Sequence, residues 1–287
     1  MYFVIRRLLR IWRAHRAAHG PRVPRPSPAA RGRFARLAHQ VRYDLLASFR
    51  NPRARFFTFV FPIVLLVILA GVFGASRTVI DGVQVKLSRF YVPGILAMSV
   101  VVGSYSNLVI QISSLRETGV LKRRRAAPVP PALLIASQAV ATLVIVGIMS
   151  AILLAVGRLF YGVGFSAPAL GALACTVIVG TLACACIGYA VASLIGNADA
   201  AQPIVQASTL PLWFISGVFI PNQDLGSTLR EIGELFPVEH LTSAFQRASL
   251  HGAFAAAISP ADLLVLAIWG MGAAVLAAWR FRWMPSR

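Results

Sequence analysis

Residues Ala169–Ile195 read ALGALACTVIVGTLACACIGYAVASLI, an apolar run without one charged side chain. In a helix, about 20 such residues cross a hydrocarbon layer roughly 30 Å thick. Comparable runs recur at Phe56–Gly74, Phe90–Ser114, Ala132–Phe160, Pro203–Ile220 and Ala261–Trp283. Together they predict an all-α membrane protein with six transmembrane helices. Composition points the same way: 57% of the 287 residues are hydrophobic and 13% are charged, whereas a soluble domain carries about 25% charged residues. Lipid is the solvent that suits such a chain.

The formal charge of +19 would suggest a nucleic-acid partner in a soluble protein. Its placement argues against one. With the six runs taken as spans, 22 of the 28 Lys and Arg residues fall on the side holding Met1–Arg55, Arg116–Pro131 and Arg280–Arg287. Arg77, Lys86, Arg89, Arg158, Arg230 and Arg247 fall on the other. Basic loops stay in the cytoplasm, so both termini are expected there, with the chain multi-pass in a bacterial inner membrane. Arg- and Ala-rich usage fits a GC-rich bacterial gene.

Ahead of the spans, two segments are expected. Residues 1–33 form a basic, Pro-rich cytoplasmic stretch, and 34–287 form the membrane domain. Met1–Arg16 mixes apolar side chains with five arginines and reads either as an interfacial basic helix or as a misassigned translation start. Pro21, Pro24, Pro26 and Pro28 make a stiff linker that cannot be helical. From Phe34 to Arg50, Phe34, Leu37, Val41, Leu45 and Phe49 recur every three or four residues, with arginines largely opposite. That pattern is an amphipathic helix on the inner leaflet, with membrane lipid as its partner.

Catalytic machinery is not evident. The chain carries no GxxxxGK[ST] phosphate loop, no HExxH and no cysteine pair of zinc spacing. Cys175, Cys184 and Cys186 share one apolar run with no His or carboxylate, so they read as small buried residues and no metal is expected. An intramembrane serine protease would use a Ser–His pair, here Ser216 with His240 or His251. Position 214 is Phe rather than the Gly of a GxSG motif, and a Ser-Gly pair in a membrane helix more often serves close packing.

Three stretches carry a resemblance: RETGVLKR at 116–123 followed by APV at 127–129, LPLWFISGVFIP at 210–221, and LFPVEHL at 235–241. Their order and spacing resemble the ABC-2 type permeases, the group containing daunorubicin-resistance drug exporters and polysaccharide exporters. The likeness spans about Phe34 to Trp283. It departs from the family pattern at Phe236 and Val238, where the family often has Asn and an aromatic residue. The resemblance implies the membrane subunit of an ATP-driven exporter of a drug, lipid or glycan. It further implies a second copy or homologue and a separate ATP-binding subunit that holds ATP and Mg; this chain would bind no cofactor itself and would not be an enzyme. Within the stretch 115–125, Arg116 and Glu117 would offer charge pairing to that ATPase. Leu121 would offer an apolar knob, Gly119 close approach, and Lys122 a further cation.

Polar residues inside apolar spans are candidates for a transport path, because a buried amide in lipid must find a partner or line a wet cavity. Asn107 and Gln111 lie one turn apart in the second run, and Gln206, Thr209, Trp213 and Phe214 lie in the fifth. Helix–helix hydrogen bonding is the alternative role for the first two. No run has a carboxylate at its middle, which argues against proton coupling. Between the fifth and sixth runs, Leu225, Leu229, Ile232, Leu235 and Phe236 recur at helical spacing, predicting a re-entrant or amphipathic external segment. An ATPase-independent channel or scaffold is the competing reading of the whole chain.

Overall fold

Apolar helices build the protein, and proline and glycine set many of their bends and ends. The computed structural model describes residues 33–50, 52–80, 83–120 and 131–280. The basic N-terminal stretch, the Pro-rich linker, Leu121, Lys122 and the end of the sixth predicted span lie outside the described residues. Packing divides the chain into Met1–Arg36 and Leu37–Arg287; the arrangement below is that of the second unit.

Helix α1, Arg33–Arg50, turns Leu37, Val41 and Leu45 inward, and among its described side chains Asp44 is the fully buried one. Helix α2 covers 52–72, with a π-helical turn at Phe56–Val60 just before Pro62. Proline has no amide to give the carbonyl four residues back. The ladder therefore shifts register there, and the Phe61 N–H reaches the Phe56 carbonyl.

A short antiparallel hairpin follows, β1 Arg77–Ile80 with β2 Val83–Lys86. It departs from the all-α expectation. Thr78, Val79, Val83 and Val85 suit strands, but the run is too short to stand out beside the membrane spans.

Helix α3, Leu87–Glu117, is the centre of the fold, with 83% of its most apolar stretch buried inside the protein. It too carries a π-helical turn, Val102–Ser106, in which the Asn107 N–H reaches the Val102 carbonyl. Around it stand α4 Pro131–Tyr161, α5 Ala167–Leu194 and α6 Ala201–Ile215. The small side chains of α5 have a packing reason. A methyl group on Gly188 would meet the Tyr105 backbone carbonyl at 3.2 Å, and one on Gly270 would sit 3.0 Å from the Ala183 Cα. Close backbone approach is how membrane helices gain dispersion contact where lipid offers no hydrophobic drive.

The segment expected outside the membrane is more ordered than a loop. Helix α7, Ser227–Glu234, is amphipathic, and α8, Pro237–Leu250, buries Leu241, Phe245 and Ala248 completely against α3, α5 and α9, Pro260–Arg280. Among the described residues, four helices are long and apolar enough to cross a membrane: α3, α4, α5 and α9. The apolar part of α2 is shorter, Phe56–Val72. The fifth expected span, drawn to Ile220, ends as helix at Ile215. Ser216 leaves helical geometry and Gly217 takes a φ of 66°, a left-handed turn that suits glycine.

Candidate functional site

Five of the six side chains singled out for a transport path, Asn107, Gln111, Gln206, Thr209 and Trp213, line one cavity of about 630 Å³. Its walls come from the end of α1 and from α2, α3, α4 and α6. Phe214 is the exception. It is half exposed on the outer side of α6, its ring 5.4 Å from that of Phe219. Successive helical residues point about 100° apart, so Trp213 and Phe214 cannot both face the cavity.

The polar groups in the wall are joined in pairs across helices. The Asn107 amide donates to the Thr58 hydroxyl at 2.6 Å, linking the π-helical turn of α2 to the residue just after that of α3. The Gln138 amide donates to Gln111 Oε1 at 3.0 Å, linking α4 to α3. Tyr105 and Ser208 share a 2.8 Å hydroxyl contact between α3 and α6. Asn107 and Gln111 thus both line the cavity and bond to neighbouring helices. Thr58, Gln138 and Thr142 also line it and were not singled out from sequence. Gln138 carries the same signal as Gln111, an amide within an apolar span. Paired π-helical turns beside a cavity are a recurrent mark of functional sites.

Below the cavity the residues expected to dock a partner do something else first. Arg116, only 5% exposed, donates from Nη1 to the Ile195 carbonyl at 2.8 Å and from Nη2 to the Ala192 carbonyl at 2.6 Å. A cation there satisfies carbonyls that the end of α5 leaves open and meets the negative end of its dipole. The Arg116 guanidinium is thus held within the chain. Exposed Glu117 accepts from the Ala198 N–H at 2.9 Å, and Asn197 caps the next helix by accepting from the Ala200 N–H at 2.7 Å. Ala198, Asp199 and Gln202 then line the cavity. Gly119 ends α3 with a φ of 71°, its N–H reaching the Arg116 carbonyl, and a side chain there would meet nothing within 4 Å. Helix termination is what the fold asks of it.

At the opposite end, beyond Ser216, a second polar cluster joins α7, α8 and α9. His240 contacts Asp262 Oδ1 through Nδ1 at 2.8 Å and the Glu234 carbonyl through Nε2 at 2.9 Å. A carbonyl only accepts, so Nε2 carries a proton; the carboxylate favours one on Nδ1 as well. Burial alone would pull His240 down, but the hydrogen bonds to Asp262 and Glu234 and the charges of Glu239 and Asp262 outweigh it, so its pKa lies above the ordinary 6.5. Glu239 is itself held by Asn222 and Ser243, and Gln246 donates to the Gly217 carbonyl at 3.0 Å. The bonds to Asp262 and Glu234 commit both ring nitrogens of His240, one of the two histidines in the protease alternative, to other partners. The Ser216 hydroxyl is buried with no hydrogen-bond partner, while His240 is engaged by Asp262 and Glu234.

The family model for the ABC-2 type transporter matches residues 38–250. A search of curated proteins found no significant match. The matched range runs from within α1 to the end of α8 and takes in residues of all the helices that wall the cavity.

Proposed function

The chain belongs to the ABC-2 type transporter family, which makes it a membrane permease component of an ABC transporter, and from that premise we propose that it exports a small molecule by coupling to a separate ATPase. In this reading α2, α3, α4, α5, α6 and α9 are six spans, both termini are cytoplasmic, and α7 and α8 cap the outer end of the path as a re-entrant element. Two copies, or one copy and a homologue, join two ATP-binding subunits that carry ATP and Mg. The stretch 115–125 docks on the ATPase through Glu117, Leu121 and Lys122, with Arg116 fastening its base to α5.

One observation carries the proposal. Arg116 and Glu117 hold the 192–198 segment, and the residues that follow it line the polar cavity. A push on 115–125 therefore has a bonded route to the cavity wall. An apolar bundle with no such link would serve a channel or scaffold equally well.

The test is co-purification of the ATPase and its substrate-stimulated turnover in the reconstituted complex. Removing one partner of a desolvated interfacial charge pair or apolar knob costs about 2–5 kcal/mol, so Glu117→Arg and Leu121→Asp should release the ATPase or abolish stimulation. Neutralising Arg124 and Arg125 should leave both largely intact. If no ATPase accompanies the unmutated protein, the exporter reading falls.

A further inference from the structure

The wall of the cavity has a chemical character that narrows what it can hold. At about 630 Å³ it matches sites that enclose drug-sized molecules. Among the described residues that line it, the charged ones are Arg55 and Asp199, one of each sign, and both are exposed to solvent. Apart from the indole N–H of Trp213, the other described polar liners are amides and hydroxyls. A charged group brought inward would lose water and meet no counter-ion, a cost that a low-dielectric site does not repay.

The amides are also incompletely engaged by one another. Gln138 gives a proton to Gln111 Oε1 and Asn107 gives one to Thr58, which leaves the Gln111 NH₂ and the carbonyl oxygens of Asn107 and Gln138 for other partners. A donor beside two acceptors is the complement of a hydroxyl or amide, not of an ion. Phe57, Phe59, Phe61 and Trp213 provide the apolar part of the same wall.

We infer that the cavity selects an uncharged, drug-sized amphiphile, its hydroxyl or amide groups on Asn107, Gln111 and Gln138 and its apolar body against the aromatic side chains. This deepens the exporter reading and rests on it.

The experiment uses the full-length protein in nanodiscs and three dansyl-tagged octyl amphiphiles that differ only in their head: glucoside, phosphate and trimethylammonium. Equilibrium binding is read by fluorescence anisotropy. The glucoside should bind about tenfold or more tighter than either charged probe, the difference of a hydrogen bond or two made against a desolvated charge. Gln111→Leu should weaken glucoside binding about tenfold. Gln111→Glu keeps the side-chain shape, guarding against a folding failure of the leucine variant, and should move the preference toward trimethylammonium. Equal or tighter binding of a charged probe by the unmutated protein overturns the inference. So does absence of glucoside binding, or unchanged selectivity in both variants. Binding needs no ATP, so a missing ATPase would sink the exporter reading without touching this result; ATP-driven export of the phosphate probe would do the reverse.

Discussion

At the scale of single residues, Arg116 shows how position and chemistry part company. In sequence it is one of five cations in a short basic stretch; in the fold it is held by α5. Hydrogen bonds from a charged donor contribute about 1.5–3 kcal/mol each, and the carbonyls they serve would otherwise stay open at a helix end. Arg116→Met should therefore lower the apparent Tm of the purified protein and reduce substrate-stimulated ATP turnover, whereas Arg116→Lys, with one compact ammonium in place of the two-pronged guanidinium, should recover part of each. Thermal unfolding by intrinsic fluorescence in detergent checks the first effect. An unchanged Tm in Arg116→Met would show that the clamp contributes nothing to stability. Asp44 makes the same point from the other side. It sits on a helix chosen for its apolar stripe, yet its buried carboxylate accepts from Ser137 at 2.8 Å and so joins α1 to α4.

Among elements, α3 is the part through which the others communicate. It bonds to α2 through Asn107, to α4 through Gln111, to α6 through Tyr105 and to the end of α5 through Arg116. Two helices with π-helical turns at the same level give the cavity wall places where backbone bonds are already out of the regular ladder. At the outer end, His240 ties three elements together, and pH acts on that tie. Because folding raises the His240 pKa above 6.5, its contribution is fully present below that value and is lost as pH rises through the higher folded-state pKa. The titratable groups facing it are Glu239 and Asp262, with the Glu234 carbonyl on its other nitrogen. Apparent Tm should fall as pH rises above about 6.5, and His240→Gln should flatten that slope. Parallel slopes in the two proteins would remove His240 from the account.

For the whole molecule, the proposed topology makes a prediction independent of any substrate. In that proposed topology, read from the distribution of Lys and Arg, α7 would lie outside and the C-terminus inside. In a cysteine-free background, Ser227→Cys should react with an impermeant thiol reagent in intact cells and Ser286→Cys should react only after lysis. Equal labelling, or labelling of the second alone, would rule out six spans. The length of α6 makes this measurement informative: its 15 helical residues rise about 22 Å, less than the roughly 30 Å of hydrocarbon. Completing the crossing then falls to the turn after Ile215, whose backbone must be satisfied by protein. Gln246 donating to the Gly217 carbonyl is one such bond.

Much of the architecture was legible in the linear chain, since long apolar runs and the placement of cations are local properties that lipid reads directly. Those runs located α3, α4, α5 and α9 to within a few residues, and amides within apolar runs pointed to Asn107, Gln111 and Gln206. Sequence alone could not say that Phe214 turns away while Thr58 and Gln138 turn in, because facing depends on helix rotation against neighbours. Nor could it find α8, whose polar residues hide the stripe of Leu241, Phe245 and Ala248 that only burial against three helices makes plain. The reach of Arg116 across to Ala192 and Ile195 was likewise decided by tertiary structure. A charge near a membrane edge has the same local sequence whether it meets solvent, a partner or its own chain, and only the path of the backbone chooses among them.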